Sequence, residues 1–286
     1  MSDIENYIAP GSVEAAAQAL ADGDVTIMAG GTDLMLQGQN GAVTYQPTLM
    51  NINRVDGLRG VSVNSGTIHI GALTTITDLL EDSIIAEKLP VLAAMANKFA
   101  SNQIRNAATV GGNVINASPA GDSIVPLLVL NAEAVLSSTP NGSVETRTVP
   151  LQEFFTGPGK TIKQANELLV AIDVPVPIAG FVAGFRKFGS RPALEISMAA
   201  GAIGGVVENG ALTDVRVAFG AVGPTPMRAR QTEAAIEGKS LNEETIKAAG
   251  AIAKKEVTPI TDVRASEWYR RHLVGVMTEE ILEDVV

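Results

Sequence analysis

Two short stretches of the chain place glycine pairs where main-chain chemistry becomes available. Residues 27–36 read IMAGGTDLML and residues 109–123 read TVGGNVINASPAGDS. In each, an apolar run enters Gly-Gly and a polar residue leaves it: Thr32 and Asp33 in the first, Asn113 in the second. Lacking a Cβ, glycine lets the backbone bend sharply and lets a ligand approach N–H groups closely. Successive N–H groups in such a bend form an anion-binding concavity, and a helix that starts there adds its positive end. A single Gly-Gly reads as a tight turn, whereas two matching ones suit the two phosphates of a dinucleotide, gripped from opposite sides. Neither is a GxGxxG fingerprint: GGTDL and GGNVI lack the third glycine, and no acidic residue stands at the right distance in a βαβ unit.

Composition removes several other chemistries. The 286 residues contain no cysteine and two histidines, His69 and His272. Disulfides, thiolate zinc sites, iron–sulfur ligation, a cysteine nucleophile and multi-histidine metal sites are thereby excluded from this chain. A net charge of −10 lacks the basic footprint that nucleic acid requires. No basic leader runs into an apolar segment, and no apolar stretch reaches the length of a membrane span. The expectation is a cytoplasmic protein with no membrane span.

The elements that position the glycine pairs follow from patterning. Ser12 caps helical spacing over 12–21, VTIMA at 25–29 reads as a buried strand entering Gly30-Gly31, and PTLMNIN reads as a second strand. Helix, strand, bend and strand make a small α/β unit ending near residue 55. A hairpin is expected around Asn64-Ser65-Gly66, then helices over TTITDLLED and AEKLPVLAAMANKFAS, then strands near 132–138, 144–149 and 167–174. DVPVPIAG at 173–180 marks a boundary. Beyond it, Asn209-Gly210 predicts a hairpin and helices are expected near 228–237, 242–255 and 264–284. The expected fold class is α+β: a two-lobed domain over 1–177, with lobes 1–55 and 56–177, then a domain of antiparallel strands and helices over 178–286.

AGGTDL, QIRNAATVGGNVINASPAGD at 103–122 and KFGSRPALEIS at 187–197 resemble the FAD-binding subunit of the molybdenum hydroxylases, the family of the xanthine dehydrogenases and the carbon monoxide dehydrogenase medium subunit. TGPGK at 156–160, AFGAVGPTPMRAR at 218–230 and RASEWYRRHL at 264–273 are most similar to the separate flavin subunits of bacterial xanthine or purine dehydrogenases. The likeness spans essentially the whole chain, in order.

That resemblance implies a role for each matching residue. Ile27, Met28, Ala29, Gly30, Gly31, Thr32, Asp33 and Leu34 would wrap the adenine-side phosphate, with Gly30, Gly31 and Thr32 donating hydrogen bonds. Thr109, Gly111, Gly112 and Asn113 would hold the pyrophosphate, with Val110, Ile115 and Asn116 along the same motif. Asp122 matches a residue bonding ribityl or ribose hydroxyls, and Phe99, followed by Ala100, matches an aromatic packed beside the isoalloxazine. Leu168 or Leu169 would line the adenine end. Lys187 matches a lysine near the ring, where a cation would stabilise reduced flavin. From the residues alone, each has a plainer reading. Phe99 shares core spacing with Met95 and Leu92, Lys187 beside Arg186 is a solvated charge, and Asp122 is a helix cap. His69 reads as a strand residue with no chemical role, and His272 as surface or interface packing.

The resemblance implies an oxidoreductase subunit with no catalytic side chain and no metal of its own. Molybdopterin would lie in a large partner subunit and 2Fe-2S clusters in a small one, and FAD in this chain would pass electrons to an acceptor such as NAD+. Family variants with an extra cluster in this subunit need cysteines, which are absent here. The open alternatives are the same subunit serving nicotinate, an aromatic heterocycle, an aldehyde or carbon monoxide, and a stand-alone FAD oxidoreductase.

Overall fold

The parallel pairing of three short strands shapes the first lobe. The computed structural model describes residues 4–191 and 194–285. Asn6–Ile8 and Val25–Met28 both pair in parallel with Thr48–Asn51, which lies between them. Parallel neighbours need a crossover. Helix Val13–Asp22 precedes Val25–Met28, and helix Leu34–Gln39 lies between that strand and Thr48–Asn51. The second helix is absent from the sequence reading, since its six residues are too few to show a period. Ser12 caps the first helix by accepting from the Ala15 N–H at 3.1 Å. Ala16, Leu20, Met50 and Ile52 form the core of the lobe, which extends to Leu73 and Leu168 of the next one.

The second lobe is a five-stranded antiparallel sheet in the order Val61–Asn64, Thr67–Gly71, Leu168–Pro175, Glu133–Ser138, Glu145–Pro150. Its hairpin turns through Ser65 and Gly66, both at positive φ, as the Asn-Ser-Gly signal predicts. The single helix expected over AEKLPVLAAMANKFAS is two. Asp82 caps Ser83–Lys88, Leu89 leaves the helical region at φ −131°, and Pro90 starts Pro90–Lys98. The ring of a proline excludes the helical conformation from the residue before it. At the other end of Pro90–Lys98 the chain turns extended at Phe99, φ −81° and ψ 125°, so Phe99 is buried but not within the helix. Short helices Val110–Asn116 and Ile124–Val129 complete the face that bears the second glycine pair.

The third unit is a four-stranded antiparallel sheet, Phe181–Phe188, Ala199–Glu208, Ala211–Gly220 and Met227–Arg228, covered by helices Arg230–Ile236, Glu243–Glu256 and Glu267–Asp284. Asn209 and Gly210, both at positive φ, make the expected turn. The strand Phe181–Phe188 was not anticipated, because its Arg186-Lys187 pair interrupts the apolar run. Ile203, Val217, Phe219, Met277 and Ile281 share the core between this sheet and its helices. The sheet also packs on helix Ile124–Val129, where the Arg216 and Arg228 guanidinium groups donate to the Val129 and Leu128 carbonyls at 3.2 and 3.3 Å. The Val129 carbonyl is one that a helix end leaves without an intrahelical partner, and the Leu128 carbonyl also accepts from the Asn131 N–H at 3.3 Å.

Arg270 joins sheet, loop and last helix. It is 3% exposed and donates to the Met198 carbonyl at 2.6 Å, the Ala221 carbonyl at 2.8 Å and Asp262 Oδ1 at 2.8 Å. Burial acts to raise the Asp262 carboxyl, but hydrogen bonds from Arg270 and from the Arg264 and Ala265 N–H groups outweigh it and, with the Arg270 charge, lower it from 3.8 to about 2. A carboxylate held below its unfolded value contributes stability above that value, which is lost as pH falls towards the folded one. Lowering the pH from about 4 to about 2 is expected to remove about 1–2 kcal/mol through this group, after allowance for its partial exposure. Thermal melts of the wild type and Asp262→Asn across that window would check this, the variant showing the flatter dependence.

Candidate functional site

A cleft of about 620 Å³ lies between the first lobe and the helices of the second, within the usual range of about 300–1,000 Å³ for small-molecule sites. The two glycine motifs form facing walls. Gly30 is where they touch: a Cβ there would stand 1.9 Å from the Ala107 carbonyl oxygen, so only a hydrogen allows the two backbones to meet. Gly31, at φ +69°, turns the chain through the conformation that favours glycine. Among the described residues, no protein group accepts from the backbone N–H groups of Gly30, Gly31, Thr32, Asp33 or Leu34. All five residues line the cleft. Successive open N–H groups of this kind suit a phosphate.

The opposite wall is built differently from the bend expected there. Gly111 and Gly112 lie in the first turn of helix Val110–Asn116, and its N–H groups are already engaged. Val110 N donates to Thr74 O at 2.9 Å, Gly111 N to Ala72 O at 3.0 Å, and Gly112 N to the capping Thr109 Oγ1 at 3.0 Å. Gly111 is small because a Cβ would meet Ala72 at 2.6 Å, and Gly112 presents bare backbone to the cleft. What this wall retains for a ligand are side-chain donors. Asn113 Oδ1 accepts from Ser123 Oγ at 2.7 Å, which leaves its Nδ2 to donate, and the Thr109 hydroxyl keeps its proton. The Gln37 amide spans the two walls, donating to Asn116 Oδ1 at 3.0 Å and to Asp33.

All the residues singled out from the sequence line this cleft except Met28, Val110 and Lys187. Met28 ends its strand with its side chain against Gly31, and Val110 is fully buried. Leu168 and Leu169 both line the cleft although they are neighbours on one strand, beside a register shift between Leu169 and Ala171. Phe99 and Ala100 contribute the other apolar wall.

Lys187 departs most from its expected place. It borders a separate cavity of about 310 Å³ with Lys98, Phe188 and Arg191, and its Nζ lies 2.5 Å from Asp122 Oδ2. Asp122, expected to cap the following helix, makes no such bond. Ser123 occupies that position, and the Asp122 carboxylate is shared by Lys187 and Ser197 Oγ, the latter at 2.6 Å. Burial pushes the Asp122 carboxyl above its ordinary value, opposed by the Lys187 ammonium and the two hydrogen bonds.

Sequence reading missed Gln37 and Lys163. Lys163 lines the cleft near Leu168, donating to the Gln164 and Glu167 carbonyls at 2.8 and 3.0 Å, and burial lowers its pKa against the pull of Glu167. It stands in an irregular segment that offers no period to read. The histidines lie elsewhere: His69 Nδ1 contacts Asp173 at 2.7 Å on the sheet, and His272 stacks on Trp268. Among the described residues, no cluster of three or more His, Asp or Glu could hold a metal ion, and no helix is long and apolar enough to cross a membrane.

The cleft thus offers open N–H groups, neutral donors and apolar walls, a donor set that fits a dinucleotide with an aromatic ring system. Two family models match the chain: the FAD binding domain in molybdopterin dehydrogenase over residues 2–177, and the CO dehydrogenase flavoprotein C-terminal domain over 184–285. The chain is 35% identical to the xanthine dehydrogenase FAD-binding subunit of Escherichia coli O157:H7, an alignment that covers 100% of this chain and 97% of that one. It is 31% identical to the glyceraldehyde dehydrogenase medium chain of Sulfolobus acidocaldarius, covering 98% of each. Its fold superposes on carbon monoxide dehydrogenase from Hydrogenophaga pseudoflava with a TM-score of 0.93 at 32% identity, covering 99% of this chain and 97% of that one. Glycine-lined cleft, fold and full-length similarity agree, and the chain belongs to the FAD-binding subunits of the molybdenum hydroxylase family of oxidoreductases.

Proposed function

We propose that the chain is the flavin subunit of a xanthine- or purine-oxidising dehydrogenase in the cytoplasm. Residues 1–177 hold FAD and residues 178–286 form the second domain. Its partners are a large molybdopterin-binding subunit, which oxidises the substrate, and a small subunit whose 2Fe-2S clusters deliver the electrons. The acceptor is NAD+. The observation that carries the FAD assignment is the row of N–H groups from Gly30 to Leu34 that no described protein group accepts from, in residues that line one cleft with Thr109 and Asn113.

Bound FAD supplies the exchange between one-electron carriers and a two-electron acceptor. The chain itself binds and orients. The 30–34 turn and the Asn113 side chain hold the diphosphate by hydrogen bonds. Gly112 admits it closely, and Phe99, Leu168 and Leu169 exclude water from the ring systems. Asp122, an acceptor only, selects a ligand hydroxyl or N–H.

The 35% identity to a xanthine dehydrogenase subunit over the whole chain supports the purine reading. The glyceraldehyde dehydrogenase medium chain at 31% favours an aldehyde-oxidising complex as the second reading. Purifying the native assembly and measuring flavin, molybdenum and iron tests the assignment. One FAD per chain, co-purifying molybdenum and iron, and xanthine-dependent reduction of NAD+ are expected. A folded chain without flavin would overturn the FAD assignment, and turnover of glyceraldehyde but not xanthine would transfer it to the second reading.

A further inference from the structure

The Lys187–Asp122 pair forms the partition between two cavities. Asp122 lines the flavin cleft and Lys187 does not, while Lys187 lines the smaller cavity and Asp122 does not. The carboxylate therefore stands between the ammonium and the cleft. Both side chains are 8% exposed. Oδ2 is held by Lys187 and Oδ1 by Ser197, itself fully buried. Without its counterion, a carboxylate so enclosed would take up a proton, because burial penalises the charged form. Of the other charged groups bordering the smaller cavity, Lys98, Arg191 and Glu195, none forms an ion pair or hydrogen bond with Asp122 among the described residues; Glu195, which also borders the cleft, is paired with Arg191 at 3.4 Å and accepts from Ser190 Oγ at 3.0 Å.

Resting on the assignment of FAD to the cleft, we propose that Lys187 acts on the flavin through Asp122, as a positioning residue that keeps a carboxylate ionised at the cleft wall. Reduction of the flavin takes up two electrons and at least one proton, so up to one negative charge is added to the ring. A carboxylate on the cleft side opposes that charge more strongly than the ammonium behind it favours it, since the nearer charge acts at the shorter distance. The pair lowers the flavin potential. A lysine acting directly on the ring would raise it. The two roles differ in sign.

The test is a spectroelectrochemical titration of flavin in the purified complex, with FAD content read from absorbance. Lys187→Met is expected to retain FAD and to shift the equilibrium towards reduced flavin by about tenfold, about 30 mV for a two-electron couple. Asp122→Asn should shift it further in the same direction, since the ammonium then remains uncompensated. Lys187→Arg should stay near the wild type. A lowered or unchanged potential in Lys187→Met overturns the proposal, as does a folded Lys187→Met chain that has lost FAD, which would place the ammonium among the binding contacts. If Lys187→Met does not fold, Lys187→Gln, which removes the charge but keeps a donor for Asp122 Oδ2, decides: a rise in potential supports the role and an unchanged or lowered potential overturns it. Flavin missing from the wild type would overturn the FAD assignment instead, so the two failures are distinguishable.

Discussion

Replacing Gly112 by leucine is expected to strip FAD from the protein while leaving it folded. Gly112 sits in the first turn of its helix, exposed to the cleft, with its N–H spent on Thr109 Oγ1. A Cβ would meet only that oxygen, at 2.8 Å, and a hydroxyl can rotate away. Losing the cap costs about 1 kcal/mol, while removing glycine from a helix returns about 0.5–1 kcal/mol. Folding stability is therefore nearly unchanged. Because Gly112 lines the cleft, the rest of the leucine side chain competes with the diphosphate for the space that bare backbone leaves. A loss of affinity of at least about 100-fold, about 2.8 kcal/mol at 1.4 per decade, is expected. Thermal denaturation of the apo chain together with equilibrium titration of FAD separates the two effects. Wild-type affinity in the variant would remove Gly112 from the site.

The second large effect falls on stability rather than binding. Arg270→Met is expected to destabilise the protein by about 3–5 kcal/mol, the usual cost of deleting one partner from a buried, charged network. Its guanidinium satisfies the Met198 and Ala221 carbonyls and Asp262 at once, and methionine fills the volume but donates nothing. Arg270→Lys should recover little, because one ammonium cannot reproduce the planar fork that reaches three acceptors. Denaturant unfolding measures the loss. A change below about 1 kcal/mol would show that the three acceptors find water or other partners instead.

Patterning carried the reading of most elements. Ser12, the Ser65-Gly66 and Asn209-Gly210 turns and the helix from Glu267 were legible because caps, turns and periods are local. Short or interrupted elements were not. Six residues from Leu34 to Gln39 cannot display a helical period, and Arg186-Lys187 broke the pattern of a strand that tertiary pairing nonetheless holds. Gln37 and Lys163 escaped notice for a related reason, since a polar side chain in a short or irregular segment carries no signal until the fold brings it to the cleft.

The glycine pairs show where that division falls. The sequence alone determined that two places in the chain lack a Cβ, that each follows an apolar run, and that their order matches a flavin-binding family. Only the tertiary structure decided that they are unlike. Thr74 and Ala72, remote in sequence, take the Val110 and Gly111 N–H groups of the second motif, and the local Thr109 takes that of Gly112, whereas nothing described takes those of the first. It also decided that Lys187 faces Asp122 rather than the cleft. Hydrogen-bond satisfaction and charge pairing depend on which distant groups arrive within about 3 Å, and a linear pattern of residue types does not encode that distance.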